Sequence, residues 1–149
     1  MDTITQKLIL EHAVFCDVFD QIERVLAGSG SIAEVKSLAS VVEGLLRGHG
    51  ETETNLAYAA LDHALADRGT LTRLYQDHRE IDDHFKRIHR TTEPAEAQLL
   101  LKKALAATRE HFRREEKHVF PLLEKTLQPD TLGMLSRKWT ESRSVSARV

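Results

Sequence analysis

The sequence predicts an all-α fold, an antiparallel up-down-up-down four-helix bundle, hemmed at one end by a short C-terminal helix. Three observations carry this expectation. Leu, Ala, Glu, Lys and Arg dominate, and 3 prolines with 5% aromatics are too few for an all-β sandwich. Four segments place apolar residues at alternating spacings of three and four, the period of one helix face. Short polar stretches join those segments, and turns of about two to six residues favour antiparallel neighbours.

The first stripe, within residues 5–27, reads Leu8, His12, Phe15, Phe19, Ile22 and Leu26. Gly28-Ser29-Gly30-Ser31 breaks it, and Ser31 with Glu34 three residues later is a capping-box signature for a second helix. That helix carries Val35, Leu38, Val42, Leu45, His49, Thr52 or Glu53, Leu56 and Ala60, and ends near Asp67-Arg68-Gly69. Gly44, Gly48 and Gly50 inside it each cost about 1 kcal/mol against Ala. Close approach of a neighbouring backbone, room for a small ligand, or a kink would account for them. Thr70 is placed to cap a third helix with Leu71, Leu74, His78, Ile81, Phe85 and Ile88. Thr92-Glu93-Pro94 turns the chain into a fourth, with Leu101, Ala104, Thr108, His111, Glu115, Val119 and Leu122, and Pro121 is placed to bend its last turn. Residues 132–139 form a short amphipathic piece and 141–149 a polar tail.

With 41% hydrophobic and 30% charged residues, 149 residues suffice for one sizeable core. The bundle is assigned to residues 1–130, and the short helix and tail to 131–149. A net charge of −2 leaves no basic excess for a phosphate backbone, so no nucleic-acid partner is expected. No apolar run approaches the length of a membrane span. Cys16 has no cysteine to pair with, and no basic leader precedes the first helix, which together fit a reducing cytoplasm.

Each stripe contains a histidine where its period calls for an apolar core residue: His12, His49, His78 and His111. One such histidine is ordinarily a core residue with a satisfied hydrogen bond. Four, on four helices, need a common explanation. His49 and His111 are each followed four residues later by a glutamate, Glu53 and Glu115, on the same helix face. Buried charges must be paired or ligated, and imidazoles with carboxylates suit borderline divalent metals, two of which a carboxylate can bridge. Helix lengths counted from the turns put all six near one level of the bundle.

These residues also carry a family resemblance. The segment His111-Phe112-Arg113-Arg114-Glu115-Glu116-Lys117-His118-Val119-Phe120-Pro121 resembles the fourth-helix motif of hemerythrin-like, HHE cation-binding proteins. His49 to Glu53 is similar to the second-helix His-x-x-x-Glu, Asp77-His78-Arg79-Glu80-Ile81 to the third-helix histidine segment, and Glu11-His12 to the first. The likeness extends over about residues 8–125. It implies a centre of two iron ions, with or without an oxo or hydroxo bridge, held by His12, His49, Glu53, His78, His111 and Glu115.

Two departures from the oxygen-carrying hemerythrins stand out. Those proteins have a second histidine four residues after the third-helix one, where this chain has Asp82. They also have an aspartate five residues after the fourth-helix histidine, where this chain has Glu116, with Glu115 one residue earlier. The chain thus follows the bacterial and regulatory pattern, in which Glu115 is the expected bridge. Asp82 and His118 are secondary ligand candidates, and the hydroxyl of Tyr75 or Tyr58 is within reach as a donor or extra ligand. His63, His84 and His89 read as surface residues, and Cys16 as an ordinary buried thiol.

The resemblance implies a protein that binds or senses a small diatomic ligand or peroxide. Alternatives are an oxidoreductase consuming peroxide or NO, and an iron-handling or iron-cluster repair protein. Repair relatives carry a separate cysteine-bearing domain not seen in these 149 residues, which ranks that reading lower.

Overall fold

A computed structural model describes residues 2–28, 30–65 and 69–146. Helix α1 spans Ile4–Gly28. Helix α2 covers 32–64, as Ile32–Thr52, a π-helical turn Glu53–Tyr58 and Ala59–Ala64. Helix α3 is Gly69–Arg90. Helix α4 covers 94–126, as Pro94–Arg114, a second π turn Glu115–Val119 and Phe120–Thr126. Helix α5 is Pro129–Ser146.

Local chemistry explains several of the ends. The Ser31 hydroxyl caps α2 by accepting from the Glu34 backbone N–H at 3.4 Å, and Pro94 sits in the first turn of α4, where an N–H is dispensable. The predicted roles of Ser29, Asp67, Arg68 and the Thr70 side chain lie outside the described residues.

Two apolar clusters fill the interior. One joins Phe15, Phe19, Ile22 and Leu26 of α1, Val35, Ala39 and Val42 of α2, Ile81, Phe85 and Ile88 of α3, and Leu101, Ala104 and Leu105 of α4, among others. The other joins Ile4 and Leu8, Ala57, Tyr58 and Leu61, Leu71 and Leu74, Val119, Phe120 and Leu123, with Leu132 and Leu135 of α5. The first cluster takes the C-terminal halves of α1 and α3 and the N-terminal halves of α2 and α4. That arrangement is the up-down-up-down order. On α1, α2 and α3 the predicted site residues fall between the two clusters, and on α4 they do so with Phe112 of the first cluster set between His111 and Glu115, so they form a polar layer with hydrocarbon above and below.

The π turns change which residues face inward. The Ala59 N–H bonds to the Thr54 carbonyl and the Phe120 N–H to the Glu115 carbonyl, each five residues back, so each helix absorbs one extra residue. Beyond each turn the stripe moves on by one. Ala57, Tyr58 and Leu61 are buried instead of the expected Leu56 and Ala60, and Phe120 and Leu123 replace Leu122. Pro121 favours the second π turn, because it lacks an N–H and its ring crowds the preceding turn. Leu45 is 39% exposed, and Val42 with the half-buried Leu46 takes its place in the core.

Two further expectations change. A Cβ added at Gly44, Gly48 or Gly50 would meet no neighbour within 4 Å, which removes close backbone approach as their explanation. The C-terminal helix is also 18 residues long, taking in 141–146 of the expected tail. It runs beside α1 in the same direction, with Lys7 donating to the Ser136 carbonyl at 3.2 Å and to the Thr140 hydroxyl at 2.6 Å.

Candidate metal centre

His12, His49, Glu53, His111 and Glu115 are buried, and His78 is 26% exposed. Their nitrogens and oxygens converge in two sets that share Glu53. In one, His12, His49, Glu53 and Glu115 each bring an atom within 4.8 Å of the others; in the other, Glu53, His78 and His111 do so. The Nε2 atoms of His12 and His49 lie 3.1 Å apart, and those of His78 and His111 2.9 Å apart. Adjacent ligands about one six-coordinate ion, with bonds of about 2.1 Å, are separated by about 3 Å.

The two carboxylates span the sets. Glu53 points Oε2 at His49 (3.1 Å) and His12 (3.8 Å), and Oε1 at His78 (3.5 Å) and His111 (3.8 Å). Glu115 places Oε1 3.4 Å from His12 and 3.2 Å from His111. Both oxygens of Glu53 and Oε1 of Glu115 are buried with no hydrogen-bond partner among the described residues. An unsatisfied buried carboxylate oxygen is costly, and a cation shared between these oxygens and the imidazole nitrogens would relieve that cost. The residues therefore fit a metal.

Braces outside the layer set the histidine orientations. The His49 Nδ1–H donates to Glu11 at 2.8 Å and the His111 Nδ1–H to Asp77 at 3.1 Å, which leaves each Nε2 facing the centre. His12 Nδ1 lies 3.4 Å from Glu116, whose side chain is 37% exposed. Phe112 stacks on His12 with centroids 3.8 Å apart, and Phe15 meets His49 edge-on.

Electrostatics in this layer are extreme. Burial alone would lower the His49 and His111 pKa values. For His49 the Glu53 and Glu11 carboxylates override it, to about 10; for His111 the Glu115 and Glu53 carboxylates do so, to about 11. Burial would raise Glu53, yet the His49, His111 and His12 rings hold it well below the usual carboxylate range. Glu115 goes the other way, pushed up to about 8 by burial and the Glu53 charge against the pull of His111. Protonated imidazoles thus supply the positive charge that a metal would otherwise bring.

All six sequence-predicted residues come together, and the secondary candidates separate. Asp82 is exposed, lining a cleft of about 530 Å³ that reaches His49, His78 and His111 between α2, α3 and α4. Gly50 borders the same cleft. His118 and His63 are exposed, His89 pairs with Glu43 at 3.1 Å, and Cys16 is half-buried beside the first apolar cluster. Tyr75 lies edge-on to Tyr58, and Tyr58 is the tyrosine that reaches the layer, its hydroxyl donating to Oε2 of Glu115. The π turn brings it there, since Tyr58, five residues after Glu53, would otherwise face well away from it. The bracing role of Glu11 and Asp77 went unread in the sequence. Its signal is an acidic residue immediately before the histidine in both α1 and α3.

A family model described as the hemerythrin HHE cation binding domain matches residues 3–123 and, in a second alignment, 70–145. The second match starts at the beginning of α3. No curated protein and no solved structure matches. No helix among the described residues is long and apolar enough to cross a membrane. The first match covers most of the chain, which therefore belongs to the hemerythrin HHE cation-binding family.

Proposed function

We propose that His12, His49, Glu53, His78, His111 and Glu115 ligate two iron ions, and that the protein binds or senses O₂, NO or peroxide at that pair. The observation that carries the reading is the division of Glu53, one unpartnered oxygen toward each histidine pair. In this reading His12 and His49 serve one ion, His78 and His111 the other, and Glu53 and Glu115 span both. Iron would supply reversible one-electron chemistry and open coordination positions for a small ligand. The chain's own part is to orient the imidazoles, exclude water with the two apolar clusters, and leave one approach beside His78. With two histidines for each ion, and Asp82 where the oxygen carriers have a further histidine, the set follows the regulatory pattern and not that of the oxygen carriers.

The cleft supports a second reading, an oxidoreductase that consumes peroxide or NO, because it opens a path from solvent to His49, His78 and His111 by which a reactant could enter and a product leave. Optical spectra of the reduced, iron-loaded protein under argon, O₂ and NO separate the two. A spectrum that changes and then reverses on degassing supports binding or sensing, and steady loss of added peroxide supports turnover. No spectral response to O₂ or NO and no loss of peroxide sinks both.

A further inference from the structure

The two halves of the layer are braced alike, but by different parts of the chain. Glu11, immediately before His12, accepts from His49, and Asp77, immediately before His78, accepts from His111. Each carboxylate is in turn gripped by a guanidinium. Asp77 is held from within the bundle, by Arg114 Nε at 3.0 Å and Nη2 at 3.3 Å and by Arg73 at 3.0 Å. Glu11 is held from α5, where Arg143 donates through Nε at 2.6 Å to Oε2 and through Nη2 at 2.8 Å to Oε1. Arg143 Nη1 also donates at 2.8 Å to the hydroxyl of Thr52, the residue before Glu53, and its guanidinium lies 5.1 Å from the centre of the Trp139 ring.

We propose that Arg143 is a positioning residue for the His12–His49 half of the centre, so that the C-terminal helix controls occupancy of one metal position and not the other. This rests on the dinuclear reading above. The physical reason is a chain of orientation. A two-pronged guanidinium fixes both oxygens of Glu11, and the fixed Oε1 then sets the tautomer and ring angle of His49. Without Arg143, Glu11 keeps only its bond to His49 and is free to swing toward water, since it is 16% exposed. His49 then loses its direction, while His111 keeps Asp77, Arg114 and Arg73. The effect is one-sided because the Arg143 guanidinium holds Glu11, whereas Asp77 is held by Arg114 and Arg73 of the bundle.

Anaerobic cobalt(II) titration tests this, read by the visible bands of the bound ion and by cobalt per chain after gel filtration. Wild type should take up two cobalt ions per chain. Arg143→Gln should bind one as wild type does and the other about 10- to 100-fold more weakly. Arg143→Lys, which restores the charge without the fork, should fall between. Glu11→Gln should reproduce the one-sided loss, and Arg143→Lys, which keeps the charge beside Glu11, decides the matter if Arg143→Gln does not fold. Two equally tight ions in Arg143→Gln, or in Arg143→Lys should Arg143→Gln not fold, would overturn the proposal and leave the metal centre standing. Equal weakening of both positions would reduce Arg143 to a general stability role, which also overturns it. No cobalt uptake by wild type would remove the dinuclear reading itself.

Discussion

The Tyr58 hydroxyl, carried on α2, donates to Oε2 of Glu115 on α4, with both side chains sealed from solvent. Burial and the Glu53 and Glu115 carboxylates push the Tyr58 pKa upward, so the ring stays a neutral phenol and a donor. Tyr58→Phe would orphan Oε2 of Glu115 in the core at a cost of about 1–3 kcal/mol. The melting temperature should fall by about 2–4 °C per kcal/mol, with two irons still bound but about tenfold more weakly. An unaltered melt would show that the bond contributes nothing, and complete loss of iron would mean that Glu115 cannot hold its place without it.

The two neighbouring glutamates of α4 should behave differently. Glu115 is fully buried with Oε1 in the centre, whereas Glu116 is 37% exposed and lies against the outer nitrogen of His12. Glu115→Gln should abolish tight binding of at least one ion. Glu116→Gln should keep both, with affinity lowered about tenfold at most. Iron per chain in the purified variants checks this, and the opposite ranking would reassign the bridge to Glu116.

Metal-free protein should lose stability as pH rises. His49 and His111 have folded pKa values of about 10 and about 11 against 6.5 unfolded, so their contribution is full below 6.5 and gone above those values. Glu115, raised from 4.5 to about 8, likewise contributes most below 4.5 and loses its share by pH 8. Glu53, held low, acts only on the acid side. Melts of metal-free samples between pH 6 and pH 10 should therefore fall steadily. With metal bound, the cation replaces the protons and the fall should flatten or reverse. A metal-free melt that climbs over this window contradicts the charge assignment.

Gly44→Ala and Gly48→Ala should each stabilise the bundle by about 0.5–1 kcal/mol, because the new methyl meets no neighbour and the helix gains propensity. Chemical denaturation midpoints measure this. A lowered midpoint would mean that a helix bend at these glycines matters.

The six central residues were legible because a polar side chain at a strictly apolar period is visible in sequence, and four coincidences on four helices compound. The register beyond Glu53 and Glu115 was not, because a π turn moves the stripe by one residue and leaves composition untouched. That shift turned Tyr58, and not Tyr75, toward the layer and made Leu56 and Leu122 look like core. Arg143 was hidden for another reason. Residues 141–149 read as polar tail because the residue that ties this stretch to the bundle, Arg143, is long and charged, and it covers Trp139 with its guanidinium plane instead of an apolar side chain.

The central claim, two metals joined through Glu53 and Glu115, is tested most directly by Mössbauer spectroscopy of the oxidised, iron-loaded protein with iron quantified per chain. Two irons per chain behaving as one exchange-coupled ferric pair are predicted. One iron per chain, or two with independent high-spin ferric spectra, would contradict it.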